Sequence, residues 1–356
     1  MNASQLFSGR AYAFDTEKIV NEDEAAYEIV KEVISKSKED IKVDSLIELV
    51  GNENFDNYKI VSGDLLYSLK ISLDDECFVL KNESEFLKNN KSPLIPYLVD
   101  FGKIRIGNDI LFLLSAYDEG YDIKDEGTNS VIENYKSFFY TLYHFGNLKS
   151  SMSCREYLEV FLNKTKIEEH SKILTESISS VHEIEKIKKV FSLLYDEVFS
   201  NYDEAVLEGE KSCHGQLESE NIVTRRGLYK YKNLGFNFSG NPIFDVCFFI
   251  VSSGFDKRTS LLFFKKYCDY NEIDLGSFRL QYEHCMKITS CLFFSKLFFD
   301  YLVEETIFET RRPHKLLSLS VDFSKSYHNL SNVSCGDDIK NLLSEIITRP
   351  ITDKIK

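Results

Sequence analysis

The stretch from His214 to Asp245 constrains the fold of this chain more than any other segment. It begins with the polar loop His-Gly-Gln-Leu-Glu-Ser-Glu-Asn, which ends at Asn221. An Asn-Leu-Gly turn starts at Asn233, twelve residues after Asn221. Asp245 stands twelve residues further on, in Pro-Ile-Phe-Asp-Val, where an apolar helix is predicted. The spacing of these three elements is more specific than any one of them, because a single polar loop of this kind is a weak signal.

The length and composition of the chain favour two packed lobes. A chain of 356 residues is too long for one ordinary core. Hydrophobic residues make up 43% of it, with 28 Phe and 20 Tyr, which suits packed interiors and disfavours disorder. The formal charge of −14 disfavours a nucleic-acid partner, whose phosphates need clustered Lys and Arg. The same charge disfavours docking to an anionic membrane.

The cysteines and the apolar runs predict a reduced, cytoplasmic protein. The eight Cys are scattered and form no CxxC pair, so the spacing of a zinc or thioredoxin site is missing from the sequence. Cys247 and Cys291 stand inside apolar runs, where they are typical of small buried hydrophobic residues. No secretory signal is visible, and the longest apolar runs are far shorter than a membrane span.

Residues 1–40 are predicted to form an N-terminal arm and helix, and residues 41–118 a small antiparallel sheet. Asp23–Lys38 carries apolar residues at helical spacing. From Ile41 the pattern changes to short β-rich runs separated by turn residues. The predicted strands are Ser45–Val50, Tyr58–Ser62, Leu65–Ser72, Cys77–Leu80, Leu98–Ile104 and Ile110–Ser115, and Asn82–Asn90 is predicted to be a short helix.

Residues 119–356 are predicted to be mainly helical. Val181–Phe199 is the clearest amphipathic helix, with its apolar residues on one stripe. The other predicted helices are Val131–Phe145, Cys154–Asn163, Phe244–Ser253, Ser260–Tyr270, Ser277–Thr289, Leu292–Glu305 and Ile339–Ile347.

Together with the β-rich N-terminal region and the helical C-terminal region, the three motifs of the central stretch resemble those of the aminoglycoside phosphotransferase and choline kinase family. The resemblance covers about residues 41–305 and is specific in 214–246. It implies an α+β protein kinase-like fold with two lobes: a small antiparallel-sheet N-lobe and a mainly helical C-lobe. It also implies a shared cleft near Asn221, into which Gln216 and Asn233 are expected to point.

The resemblance assigns a role to each motif residue. His214 shapes the catalytic loop, and Gln216 stands where the family has its catalytic Asp. Asn221 and Asn233 stand at the two metal-binding positions, the second of which is an Asp in the family. Asp245 is expected to be a buried scaffold residue that accepts hydrogen bonds from the loop backbone near His214.

The two replaced acids predict a pseudokinase. Gln216 cannot accept a proton at neutral pH, and Asn233 brings no charge to a cation that prefers carboxylate oxygen. Phosphoryl transfer depends on positioning and charge neutralisation, so each loss is expected to lower activity by about 10²–10⁴-fold. We therefore expect a non-catalytic protein that binds ATP or another nucleotide, or an unknown protein partner, with Mg²⁺ held weakly or not at all.

A possible nucleotide contact lies in the N-terminal sheet. Lys70 resembles the family's nucleotide-binding Lys, and Glu85, or less favourably Glu83, is its expected helix partner. The alternative interpretation is a solvated Lys on an edge strand and a capping Glu, and the sequence does not choose between the two.

Two other functions stay open at the sequence level. Glu218 or Glu220 could replace the lost charge, which would make the chain an active phosphotransferase for a small hydroxylated or aminated molecule. The negative charge of the chain would suit a cationic substrate. The third function is that of a structural assembly protein that uses the fold, because a fold alone does not fix an activity.

Overall fold

The structure is a computed structural model that describes residues 18–19, 24–37, 39, 41–52, 55–74, 76–117, 120–123, 129–162, 181–225, 227–307, 330 and 333–347. Its contacts divide the chain into two compact units. The sheet unit comprises Met1–Glu126 and Glu220–Asn237, and the helical unit comprises Gly127–Ser219 and Phe238–Lys356. The bounds of these units differ from the sequence-based domains 1–40, 41–118 and 119–356. The first segment of the sheet unit includes residues 1–40 and ends at 126, and residues 220–237 group with the sheet unit rather than with the helical region that surrounds them in sequence.

The sheet unit is built on a six-stranded antiparallel sheet. Its strands, in the spatial order β1-β2-β3-β4-β6-β5, are β1 Lys18–Ile19, β2 Ser45–Asn52, β3 Phe55–Ser62, β4 Leu65–Ser72, β5 Leu98–Ile106 and β6 Asn108–Ala116. Tight turns join β3 to β4 and β5 to β6, and Gly63 and Gly107 provide the positive φ that those turns need. The antiparallel sheet predicted for residues 41–115 is confirmed.

One face of this sheet forms an apolar core with helix α1 (Glu24–Lys36). Alternate strand positions point inward, so Leu46, Ile60, Leu69 and Leu114 are completely buried. Ile29, Val30 and Val33 of α1 belong to the same cluster, at the spacing of one helical face, and a predicted helix here is confirmed.

Helix α2 (Phe78–Asn89) corrects the prediction for this region. A strand at Cys77–Leu80 was expected, yet these residues form the N-cap and the first turn of the helix. The buried apolar side chains Val79, Leu80, Phe86 and Leu87 recur at the spacing of one helical face. Burial of that face outweighs the local preference of Phe and Val for strands.

A second, three-stranded sheet completes the sheet unit. Its order is β10-β9-β7, with β7 Tyr121–Asp122, β9 Ile222–Arg225 and β10 Leu228–Tyr231. Gly227 has a φ of 77° in the turn between β9 and β10, as its place in the sequence predicts. This hairpin separates two 3₁₀ turns, Ser219–Asn221 and Leu234–Phe236, which carry the central motif residues.

The helical unit contains the remaining described elements. Its helices are α3 Asn129–Glu133, α4 Tyr135–Phe145, α5 Cys154–Phe161, α6 Val181–Ser200, α7 Glu204–Leu207, α8 Ile243–Ser252, α9 Lys257–Tyr270, α10 Leu275–Ile307 and α11 Gly336–Ile347. Two short strands, β8 Lys211–Cys213 and β11 Phe238–Gly240, pair antiparallel. The mainly helical character predicted here is confirmed, although the two helices expected at Ser277–Thr289 and Leu292–Glu305 are one continuous helix.

Aromatic side chains fill the interior of the helical unit. Phe138 of α4 packs against Phe249 of α8 and Phe263 of α9, with ring centroids 5.0 and 6.1 Å away. Cys247 and Cys291 are buried free thiols, as their apolar neighbours in the sequence predict. Among the described residues, no helix combines the length and the apolar character that crossing a membrane needs.

Candidate functional site

The polar loop at His214 is anchored by Asp245. Asp245 lies in the first turn of α8 and is completely buried. One carboxylate oxygen accepts a hydrogen bond from the His214 amide at 2.7 Å, and the other accepts from the Gly215 amide at 3.0 Å. The scaffold role predicted for Asp245 is therefore confirmed: one side chain satisfies two backbone donors that the loop leaves unpaired.

Burial also changes the acidity of Asp245. Removal from water disfavours the charged carboxylate and raises the pKa of Asp245 to about 7, while the hydrogen bonds from His214 and Gly215 act in the opposite direction. The group therefore titrates near neutral pH instead of near pH 4.

The loop itself is held by its own side chains and by α5. His214 is fully buried, and its Nδ1 accepts a hydrogen bond from the Gln216 amide at 3.3 Å. Gly215 has a φ of 81°, which only glycine adopts without strain. Its carbonyl accepts a hydrogen bond from the Tyr157 hydroxyl at 2.6 Å. The backbone around Gln216 is thus fixed from several directions.

Gln216, the third residue of this loop, is partly exposed. A neutral amide at this position can donate and accept hydrogen bonds but cannot take up a proton at neutral pH. Gln216 belongs to the helical unit, and Asn221 and Asn233 belong to the sheet unit. Their convergence on one cleft stays a prediction.

Asn221 and Asn233 contact each other directly. The Asn233 Nδ2 donates to the Asn221 Oδ1 at 2.8 Å. Asn233 has left-handed backbone angles (φ 59°, ψ 57°), a conformation that Asn tolerates better than most residues. Asn221 is buried, and its carbonyl accepts from the Lys232 amide at 3.0 Å. The structure thus brings together the two residues assigned to metal binding and joins them as an amide pair.

An amide pair is a poor ligand set for a hard cation. A hydrogen bond between two side-chain amides runs from an N–H group of one to the oxygen of the other. One of the two oxygens is therefore always occupied, whichever residue is the donor. Neither side chain carries the charge that Mg²⁺ and Ca²⁺ prefer. In the described part of the chain, no cluster of three or more His, Cys, Asp or Glu side chains is arranged to hold a metal ion.

Lys70 forms a buried ion pair with Glu83. The Lys70 Nζ lies 2.8 and 2.7 Å from the two carboxylate oxygens, and both side chains are almost completely buried. The Phe55 ring covers the same ammonium, with its centroid 4.9 Å away. Lys70 is therefore neither solvated nor on an edge strand, because β4 lies between β3 and β6.

The prediction that favoured Glu85 as the partner of Lys70 is wrong, because the partner is Glu83. Glu85 is exposed on α2, whereas Glu83 shares the buried face with Val79, Leu80 and Phe86. The two residues stand two positions apart and therefore point about 200° apart around the helix, so only one of them can lie on the inward stripe. The helix begins at Phe78 rather than at Asn82, which places Glu83 in its second turn.

The two acidic residues of the loop have different environments. The Glu218 carboxylate lies 2.5 Å from the Lys296 Nζ of α10 and is mostly buried, whereas Glu220 is exposed. Sequence reasoning missed Lys296. Its signal was a lone charge inside the apolar run Leu-Phe-Phe-Ser-Lys-Leu-Phe-Phe, since a charge buried in such a run needs a partner.

Comparisons of the sequence find no relative. No family model matches the chain, and no curated protein matches it.

Comparisons of the structure, in contrast, find many solved proteins. Aminoglycoside phosphotransferase APH(4)-Ia matches with a TM-score of 0.55 at 12% identity, over 86% of this chain and 99% of that one. Amicoumacin kinase hAmiN matches with a TM-score of 0.58 at 11% identity, over 86% and 95%. Choline kinase LicA from Streptococcus pneumoniae matches with a TM-score of 0.52 at 16% identity, over 86% and 99%.

These three kinases match nearly from end to end, and at 11–16% identity the likeness concerns the fold. The motifs at His214, Asn233 and Asp245 occupy the loop, the turn and the helix start described above. The chain has the two-lobed, protein kinase-like α+β fold of the aminoglycoside phosphotransferases and choline kinases.

Proposed function

We propose that this protein is a pseudokinase that binds a nucleotide without a tightly held metal ion and does not transfer phosphate. The observation that carries the proposal is the 2.8 Å hydrogen bond between Asn233 and Asn221. It joins the two positions from which a metal would be held and leaves them uncharged.

The metal matters because it neutralises the charge that develops on the transferred phosphoryl group. Seating Mg²⁺ between Asn221 and Asn233 would require breaking their bond and would return only neutral amide oxygens. Gln216 adds a second deficit, since no proton acceptor stands at the base position of the loop. The two losses affect different parts of the reaction, so restoring one does not restore the other.

The Lys70–Glu83 ion pair supports nucleotide binding. Both oxygens of Glu83 contact the buried Lys70 ammonium and hold it in one position, and the resemblance assigns this lysine to the nucleotide. The solved neighbours include APH(4)-Ia with ADP and hygromycin B and amicoumacin kinase with AMP-PNP and Ca²⁺. Nucleotide binding is therefore plausible for this fold, and the retained cation supports it here.

The test is a titration of the full chain with ADP and ATP in the presence of Mg²⁺ or of a chelator. A ligand that binds the native state raises its stability by RT ln(1 + [L]/Kd). We expect a rise in melting temperature that is the same with and without Mg²⁺. Lys70→Met should reduce this rise in melting temperature. Lys103→Met should not, because Lys103 is an exposed side chain on β5 of the same sheet.

The competing function, an active phosphotransferase, needs a carboxylate that replaces the lost acids. Glu218 is the buried candidate, but Lys296 already neutralises it. Robust Mg²⁺-dependent turnover of an aminoglycoside, a choline-like amine or a sugar, abolished by Glu218→Gln, would establish that function. Stabilisation by nucleotide only in the presence of Mg²⁺ would also overturn the pseudokinase proposal. No stabilisation by any nucleotide would favour a structural role.

A further inference from the structure

A buried asparagine on α2 ties the helix to the turn that follows Asn233. The Asn82 Nδ2 donates to the Gly235 carbonyl at 2.9 Å and to the Asn237 carbonyl at 3.2 Å. Asn82 is 6% exposed, so water does not offer an equal alternative to these acceptors. One side-chain amide thus holds two points of the segment 233–237.

Close packing reinforces this tie. A Cβ on Gly235 would lie 2.2 Å from Val79 Cγ1 and 2.7 Å from the Val79 carbonyl oxygen. The backbone of the turn therefore contacts both the side chain and the backbone of Val79 in the first turn of α2, and a side chain at position 235 has no room. Helix and turn are coupled by contact as well as by hydrogen bonds, and a shift of one must displace the other.

Asn82 is also the sequence neighbour of Glu83. Glu83 holds Lys70 of β4 through its two oxygens, while Asn82 holds the turn that begins after Asn233. Consecutive residues of a helix point about 100° apart, so the second turn of α2 reaches two different parts of the sheet unit. The path runs from Lys70 to Glu83, from its sequence neighbour Asn82 to the Gly235 carbonyl, and along two residues of backbone to Asn233, which bonds Asn221.

We propose that Asn82 is a positioning residue that couples the Lys70–Glu83 ion pair to the Asn221–Asn233 amide pair. A change at Lys70 then alters the environment of Asn233, although no direct contact is required. The consequence for nucleotide affinity rests on the proposed function, whereas the coupling itself does not.

The coupling can be measured without nucleotide, by NMR of the side-chain amides in protein labelled at asparagine with ¹⁵N. Asn233→Asp removes one of these signals and so identifies it. Lys70→Met leaves the Glu83 carboxylate buried and unpaired, which forces α2 to shift or open toward water. We expect Lys70→Met to change the chemical shift of the Asn233 side-chain amide when Asn82 is present. In the Asn82→Ala background, the change in shift caused by Lys70→Met should be much smaller.

Asn90→Ala is the matched control. Asn90 is another buried asparagine at the end of α2, and its Nδ2 donates to the Phe86 carbonyl of the same helix. The response of Asn233 to Lys70→Met should survive in this background. An equal response in all three backgrounds would indicate a direct electrostatic effect and would overturn the proposal, as would the lack of a response in the wild type.

A second variant keeps the test informative if Asn82→Ala does not fold. Asn82→Ser retains one hydroxyl donor in place of two N–H groups and should give a response between those of the wild type and of a protein without the tie. A response equal to that of the wild type would contradict the proposal.

Nucleotide affinity separates this inference from the proposed function. If ADP binds the wild type, Asn82→Ala should weaken it by about fivefold or more, because fewer molecules hold Lys70 in place. Asn90→Ala should change the affinity by less than about twofold. If ADP does not bind the wild type, the proposed function fails, and the NMR response still decides whether Asn82 couples the two pairs.

Discussion

At the scale of single residues, the side chains that shape the loop at His214 are held by specific hydrogen bonds. Asp245 retains both of its hydrogen bonds to the loop backbone, and His214 retains its bond to the Gln216 amide. These contacts fix the loop backbone independently of the side chain at Gln216. Maintaining that shape depends on backbone donors, which any sequence supplies, and on one buried acceptor.

Asp245→Ala removes the acceptor from two buried amides. Each unpaired N–H costs about 1–3 kcal/mol, so we expect a loss of at least about 2 kcal/mol in the free energy of unfolding. Urea unfolding followed by circular dichroism measures it. Asp269→Ala is the control, because Asp269 lies on the exposed face of α9 in a surface pair with Lys265 and should cost less than about 1 kcal/mol. Equal costs for the two variants would contradict the scaffold role.

The raised pKa of Asp245 gives its contribution a pH dependence. The unfolded chain loses this proton near pH 4, and the folded chain keeps it until about pH 7. Between these values the folded state binds more protons than the unfolded state, so stability falls as pH rises. Asp245→Asn has no titrating group at this position. We therefore expect the unfolding free energy of the wild type, relative to that of Asp245→Asn, to fall from pH 4 to pH 7 and to stay constant at higher pH. A difference that grows with pH would show that the carboxylate is already ionised at pH 4.

At the scale of elements, α2 is the part of the sheet unit on which the candidate site depends. It begins at Phe78, and its buried face carries Glu83 toward Lys70 and Asn82 toward the turn at Gly235. The helix is thus attached to β4 through an ion pair and to the turn at Gly235 through hydrogen bonds and direct contact with Val79.

Gly235→Ala tests the contact between α2 and the turn. The added methyl group would overlap Val79, and part of the overlap is with backbone, which cannot rotate away. We expect a cost of about 1–3 kcal/mol, measured by urea unfolding. Gly276→Ala is the control: its Cβ would meet only the Asp274 side chain, near the start of α10, and alanine favours a helix. A neutral Gly235→Ala would mean that the turn is free to move away from α2.

At the scale of the whole molecule, the fold is recognised through its structure while the sequence identities to the three kinases are 11–16%. The two units have different architectures: one is built on antiparallel sheets, and the other is packed from helices with an aromatic interior. A local defect in one unit is therefore expected to change hydrogen exchange in peptides of that unit and not in peptides of the other.

Lys70→Met should produce such a local defect. It leaves a carboxylate buried without its cation, at a cost of about 3–5 kcal/mol. We expect faster hydrogen exchange, followed by mass spectrometry, in peptides from β4 and α2. Peptides from α8 in the helical unit should exchange as in the wild type. The double variant Lys70→Met with Glu83→Leu should restore much of the protection, because it removes the unpaired charge. Protection that is unchanged in Lys70→Met would mean that the ion pair contributes little.

The sequence by itself determined what depends on short-range pattern. The loop, the turn and Asp245 carried the family resemblance, and that resemblance implied the fold and the scaffold contact of Asp245. Alternating and helical hydrophobic patterns predicted most strands and helices, since each element must bury one face.

Only the tertiary structure decided which side chains meet across distant parts of the chain. Glu83 instead of Glu85 pairs with Lys70 because Glu83 lies on the face of α2 that is buried against the sheet unit. Lys296 of α10 contacts Glu218, a residue 78 positions earlier in the chain. The Asn221–Asn233 bond depends on a left-handed residue and a turn pressed against α2. Each of these contacts is set by packing between elements, and sequence spacing does not contain that information.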